Sequence, residues 1–312
     1  MAVPILIGST TLIFIAMTAS AGNYVPGMDL NSNMRPEDIQ RLRASLGLDQ
    51  PLYIQYAHWI IGIAHGDFGR SMIDGTAVST HILERLPNTL ELSLAALLIA
   101  VVLAIPLGVA GGIMRGSLFD RLLTAISVAG FAMPQFWLGL LMILLLSVSF
   151  HTWGLPSLPS GGAYDPVFGG GILDRLTHLA MPAAVLSTLY IATWSRYVRG
   201  SIIEVLSADY IRTARSKGMS ERRVVYVHAL RNALMPLATL VGLEFPRLFS
   251  GTLVVEVVFA WPGIGLFSYQ RALQADYTSV LGVSAFVAIL VVAGNIVADL
   301  SYGLIDPRIR AR

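Results

Sequence analysis

Long apolar stretches separated by short charged segments dominate the chain. A bilayer core takes about 20 mostly apolar residues per helix, and six stretches meet that measure, approximately residues 3–21, 90–114, 122–150, 176–195, 233–255 and 279–303. The third, LLTAISVAGFAMPQFWLGLLMILLLSVSF, is apolar all round and long enough to span with tilt or with a kink at Pro134. The fourth is the weakest: Pro182 interrupts it, and Arg196 and Arg199 follow closely. Without it, the basic loop behind it would face away from the other basic loops. The first has a rival reading, because Ala19, Ser20 and Ala21 resemble a signal-peptide cleavage site. No Lys or Arg precedes Arg35, so the charged leader such a peptide needs is absent, and an uncleaved helix is the better reading.

The polar intervals carry patterns of their own. In residues 36–46 (PEDIQRLRASL), Pro36 stands at a plausible first helical position, acids follow in the first turn, and Ile39, Leu42 and Leu46 share a face, which predicts a short amphipathic helix. Residues 51–65 predict a second, with Leu52, Tyr56, Trp59, Ile60 and Ile63 as apolar and aromatic anchors at interfacial depth. GLPSLPSGGAYDPVFGGG reads as an irregular loop. The interval 201–232 predicts a helix, a tight turn at Gly218 and another helix that Ser220 can cap. Ile202, Val205, Leu206, Tyr210, Ile211 and Ala214 fall on one face of the first, an apolar stripe that asks for a protein partner.

Composition narrows the class. The chain has 312 residues, 55% hydrophobic and 13% charged, and its mean hydropathy is +0.68. Soluble domains carry about 25% charged residues, so these numbers exclude an ordinary soluble fold, a disordered chain, an acidic scaffold and a nucleic-acid module. With no cysteine there is no disulfide, thiolate metal site or thiol nucleophile.

The placement of the charges says more than their net of +2. The intervals after the second and fourth stretches and the C-terminal tail hold 13 basic residues against 5 acidic ones, a net of +8, while the rest of the chain nets −6. Basic loops stay cytoplasmic. Both termini are therefore expected inside, and the region 22–89 and the loops near 151–175 and 256–278 outside. A basic helix-turn-helix at 201–232 also invites a DNA-binding reading, but positive-inside charge accounts for it between two spans.

At this point the residues match a known pattern. YIRTARSKG followed by VVYVHALRNALMP resembles the signature of the transmembrane subunit of bacterial peptide ABC importers, the dipeptide, oligopeptide and nickel permease group. LGLDQPLYIQY, HGDFGRS, RLPNTLELSLAA, FAMPQFW, EVVFAWPGIG and LIDPRIR agree in order along nearly the whole chain. The resemblance implies an all-α fold of six transmembrane helices, the type I ABC importer permease fold, in a bacterial inner membrane. Its division would be residues 1–22 as first helix, 23–89 as an extracytoplasmic region with amphipathic helices, and 90–312 as a core with five helices and the coupling loop.

It also implies a homologous second permease subunit, two cytoplasmic ATPase subunits that bind ATP and Mg, an extracytoplasmic substrate-binding protein, and no cofactor in this chain. The family's docking segment maps onto Asp209, Tyr210, Arg212, Thr213, Ala214, Lys217 and Gly218. Where the wider superfamily has Glu-Ala-Ala, this chain has Arg212, Thr213 and Ala214, as the peptide branch commonly does. The paired arginines that usually open the family are absent, and its Ile-Pro-Gly-Asp-Pro motif survives only as Val25, Pro26, Gly27 and Met28 before Asp29.

The residues themselves support that division of labour. No phosphate-cradling P-loop occurs, and the single lysine, Lys217, lacks the glycine pattern such a loop requires. ATP hydrolysis is then expected in partners. Glu244 and Arg247 lie three apart in the fifth stretch, on one helix face; they either neutralise each other or line the translocation path. The turn Trp261, Pro262, Gly263 and Gly265 reads first as structural and second as a loop reaching the binding protein. His58 and His65 share a face without a carboxylate, so no metal site is assigned. The alternative, a self-sufficient secondary transporter or channel, should show buried acids on several spans and an internal repeat, and neither is visible.

Overall fold

The computed structural model describes residues 2–21, 37, 40, 49–167, 169–234, 237, 240–242 and 252–305. Among them the regular structure is helical, with one isolated antiparallel bridge between Arg70 and Ala77. In chain order the helices are α1 (Ala2–Ala21), α2 (Leu52–Ala64), α3 (Val78–Ile113), α4 (Leu118–Ala132), α5 (Gln135–Thr152), α6 (Ile172–Leu206), α7 (Asp209–Ser216), α8 (221–233), α9 (Leu253–Val258), α10 (Ile264–Leu273) and α11 (Tyr277–Ile305). By length and composition α3, α5, α6 and residues Tyr277–Val297 of α11 are long and apolar enough to cross a membrane, and α1 adds the shorter apolar run Leu6–Ala19.

The expected third span divides in two. Proline clashes with a helical residue before it, and Met133 accordingly turns to an extended ψ of 123°, so α4 stops at Ala132 and α5 restarts after Pro134. The kink foreseen there is a full break. Within α5, residues Ile143–Ser149 widen into a π-helical stretch, and the Leu146 carbonyl accepts the N–H of Leu158 (3.0 Å), from the Gly/Pro-rich loop that follows. The expected fourth span is longer than its apolar centre: α6 runs 35 residues through Pro182, about 52 Å at 1.5 Å per residue, and so carries Arg196 and Arg199 on the same rod. Most of the expected fifth span and the 36–46 helix fall outside the described residues.

The chain forms two compact units, residues 1–89 with 262–297, and residues 90–261 with 298–312. In the first, α2 lies along α1: the Tyr56 hydroxyl and Thr10 Oγ1 are 3.0 Å apart, and the Phe14 ring meets Tyr56 edge-on and Trp59 at a tilt. Val78, Ile82, Ile264, Phe267 and Val283 make its core. The HGDFGRS loop is fastened by the buried carboxylate of Asp276, which accepts from Ser71 Oγ (2.7 Å), Met72 N (3.1 Å) and Ser279 Oγ (2.7 Å). Gly69 turns this loop at φ +88°, and a Cβ there would lie 2.6 Å from Thr278 Cγ2.

In the second unit, a ladder at every fourth position of α3 (Leu92, Ala96, Ala100, Ala104, Gly108, Gly112) is buried. Small residues at this spacing let helix backbones approach closely. A Cβ on Gly108 would sit 2.6 Å from the Ser195 carbonyl, and one on Gly112 would sit 2.6 Å from Ile202 Cγ2, so α3 and α6 meet almost backbone to backbone. Met181, Leu186, Trp194, Val198 and Ile202 of α6 share this core with Phe259 and Trp261.

Candidate functional site

The segment 207–233 begins where α6 ends at its cap, Ser207. Ala208 is extended (ψ 149°), and α7 starts at Asp209, whose carboxylate suits the positive end of the helix dipole, as Arg215 suits the other end. Gly218 closes α7 at φ +78°: its N–H bonds the Arg215 carbonyl (2.9 Å), and the Met219 N–H reaches the Ala214 carbonyl (3.4 Å). This is the left-handed close that glycine adopts without steric cost. Ser220 stands at the N-terminal cap position of α8, but its side chain makes no capping bond.

The apolar stripe is satisfied from within the chain. Ile211 and Ala214 of α7 are buried against Val224 and Ala229 of α8, with Val205, Leu206 and Met219 packed around them. The partner expected for these residues is therefore α8 itself. Tyr210 departs from the stripe; its ring is exposed, and its hydroxyl accepts from Asn232 Nδ2 (2.9 Å). Arg215 Nε donates to Glu221 across the turn (3.1 Å), which raises the guanidinium's pKa and lowers the carboxyl's.

What α7 leaves outward is polar. The side chains of Asp209 and Arg212 are 97% and 74% exposed and make only a long 3.5 Å contact with each other. Thr213, Ser216 and Lys217 are exposed beside them, and Tyr226 and Val227 of α8 add exposed apolar surface. A helix held rigidly by its apolar side and presenting charge, hydroxyls and a tyrosine on the other has the makings of a docking surface rather than a catalytic one. Of the predicted set, Asp209, Tyr210, Arg212, Thr213, Lys217 and Gly218 are exposed, and Ala214 is buried.

The base of this hairpin is anchored. Arg199 of α6 holds Asp120 of α4 through two hydrogen bonds, Nε to Oδ1 (2.5 Å) and Nη2 to Oδ2 (2.8 Å). Asp120 also accepts the Gly116 N–H (2.8 Å). The Arg199 guanidinium, helped by Gly116, pulls the Asp120 carboxyl down to about 2. In the sequence both residues read only as loop charge.

Glu244 and Arg247 lie outside the described residues. Trp261 is fully buried, with the Arg175 guanidinium 4.5 Å above its ring and Arg175 Nε bonded to Glu91 (3.0 Å). Pro262 accepts from Asn88 Nδ2 (2.8 Å), Gly263 caps α10, and Gly265 lies in its first turn. Each is thus knitted into its own unit. No group of three or more His, Asp or Glu side chains able to hold a metal occurs among the described residues.

Residues 100–311 match the family model of the binding-protein-dependent transport system inner membrane component, and residues 2–94 match the model of the N-terminal region of such membrane components. The chain is 41% identical to the oligopeptide transport system permease protein AppB of Bacillus subtilis over 310 residues, 99% of this chain and 96% of that protein. It is 37% identical to the dipeptide transport system permease protein DppB of Escherichia coli and 39% identical to the di/tripeptide transport system permease protein DppB of Pseudomonas aeruginosa, with the same coverage. The chain accordingly belongs to the family of binding-protein-dependent transport system inner membrane components, and is a permease subunit.

Proposed function

We propose that the chain forms half of the translocation path of an ATP-driven peptide importer, beside a homologous second permease subunit, two cytoplasmic ATPases that bind ATP and Mg, and an extracytoplasmic binding protein. The peptide names of its relatives support the cargo. The carrying observation is the α7–α8 hairpin: one short helix, fixed by Ile211 and Ala214, with Asp209, Tyr210, Arg212, Thr213 and Lys217 left outward to meet an ATPase.

Movement imposed on α7 reaches the spans by a short route. Two residues, Ser207 and Ala208, join α7 to α6, and α6 is bound to α4 by Asp120 and Arg199 and to α3 along Gly108 and Gly112. A docked helix therefore shifts a group of helices, as packed elements move in shear or hinge transitions. A Cβ at Gly218 meets open space, so the cost of Gly218→Val is conformational. In the reconstituted complex this variant should lose more than about ten-fold of substrate-stimulated ATP hydrolysis while remaining in the membrane, since ~1.4 kcal/mol of misdocking is a ten-fold population change. Normal stimulation would sink the coupling role.

Under this reading both termini and the hairpin are cytoplasmic. The cysteine-free chain tests it directly: Ser160→Cys should react with an impermeant thiol reagent from outside, and Ser220→Cys should not. Both positions are exposed. Glu244 and Arg247 are assigned to the path, where Glu244→Gln and Arg247→Gln should alter uptake of oppositely charged peptides in opposite senses; unchanged kinetics would remove them. The turn Trp261, Pro262, Gly263 and Gly265 would support the outer loop toward the binding protein through its backbone, its indole being enclosed.

A further inference from the structure

A cavity of about 610 Å³ opens between the end of α5, loop residues 157–166 and the start of α6, all within the second unit. Among the described residues its lining carries two carboxylates, Asp165 and Asp174, and two imidazoles, His151 and His178, with no lysine or arginine. Val148, Leu158 and the Tyr164 ring supply apolar wall.

The decisive group is His178, 6% exposed and part of the lining. Its Nδ1 lies 2.9 Å from the Asp174 carbonyl and 3.3 Å from the Asp174 carboxylate, both acceptors, so Nδ1 carries the proton and donates. In the neutral ring that leaves Nε2 as a bare lone pair, and it has no hydrogen-bond partner among the described residues. That lone pair belongs to a ring that walls an open cavity with an acidic lining, where an incoming N–H can reach it.

We propose that this cavity is a subsite for an amphipathic primary ammonium group, with His178 Nε2 accepting one N–H, the carboxylates of Asp165 and Asp174 supplying the field, and Val148, Leu158 and Tyr164 covering the adjoining apolar part. The α-ammonium end of a short peptide has this chemistry, and so does a simple aryl-alkyl amine. The assignment to a peptide terminus rests on the peptide reading above; the ammonium site itself does not.

The test uses the full chain in lipid nanodiscs, titrated by calorimetry with phenylalanyl-alanine, its N-acetyl form and phenethylamine. Both amines should bind and the acetylated peptide should not. Asn at position 178 replaces the Nδ1 donor but offers nothing at Nε2, whereas Gln reaches the Nε2 position. His178→Asn should therefore weaken binding about ten-fold, the worth of one hydrogen bond to a charged group, and His178→Gln should recover part of it. Should His178→Asn fail to fold, Asp165→Asn, which keeps an acceptor for the Val167 N–H, should weaken both amines in a chain that still melts cooperatively. Equal binding of the acetylated peptide, or full affinity in a folded His178→Asn or Asp165→Asn chain, would overturn the site. Binding of phenethylamine but not of phenylalanyl-alanine would keep the ammonium site and overturn the peptide reading.

Discussion

Two turns of this chain use glycine at nearly the same φ, Gly69 at +88° and Gly218 at +78°, and they are built to opposite ends. Around Gly69 the space is filled: Thr278 sits where a Cβ would go, and the loop is tied to the buried Asp276. Around Gly218 the space is open, and the turn is held by its own backbone bonds and by the Arg215–Glu221 pair. The first turn is a wedge and the second a bend. The difference teaches that one dihedral requirement serves either a packed anchor or an open surface bend, according to what surrounds it.

The largest test of that contrast is Asp276→Ala. It leaves the Ser71 and Ser279 hydroxyls and the Met72 N–H without their acceptor, which should cost about 3 kcal/mol or more. Thermal melting in detergent should show the drop, and a near-normal melting point would mean that the HGDFGRS loop is not held this way. Next comes the matched pair Gly69→Ala and Gly218→Ala. Both pay about 1–2 kcal/mol for positive φ, and only the first adds overpacking of about 1–3 kcal/mol. Equal losses for the two would erase the distinction.

Smaller again is Asp120→Asn, which weakens the anchor beneath the hairpin. Because the folded carboxyl titrates near 2, below the unfolded value of about 3.9, its contribution is complete above the unfolded value and fades as pH falls toward 2. The melting difference between variant and parent should follow that window. The smallest effect belongs to Glu221→Gln. Its pair with Arg215 is exposed on both sides, so a shift within a degree or two, shrinking with added salt, is expected.

The parts legible in the sequence were those set by local rules. The helix α1 and the spans at α3, α6 and α11 followed from apolar length, the place of the interruption at Pro134, though not its extent, from a single residue, and the bend at 218 from a glycine after a basic turn. Three features escaped because they depend on pairs distant in the chain. Asp120 and Arg199 look like loop charge in the sequence, yet they meet across 79 residues. The stripe on α7 was read as a partner's surface because nothing in its own spacing says that Val224 and Ala229 fold back onto it. The four-residue ladder ending in Gly108 and Gly112 was present in the letters, a small-xxx-small pattern, and was hidden inside a span whose apolarity already explained it.

That ladder has a mechanical consequence. Side chains between helices act as compliant spacers, able to change rotamer and absorb displacement. Along Gly108 and Gly112 there are none to yield on the α3 side: main chain bears on the Ser195 carbonyl and on Ile202. The seam resists compression and tilt, so a sideways displacement of α6 would be carried to α3 with little lost play.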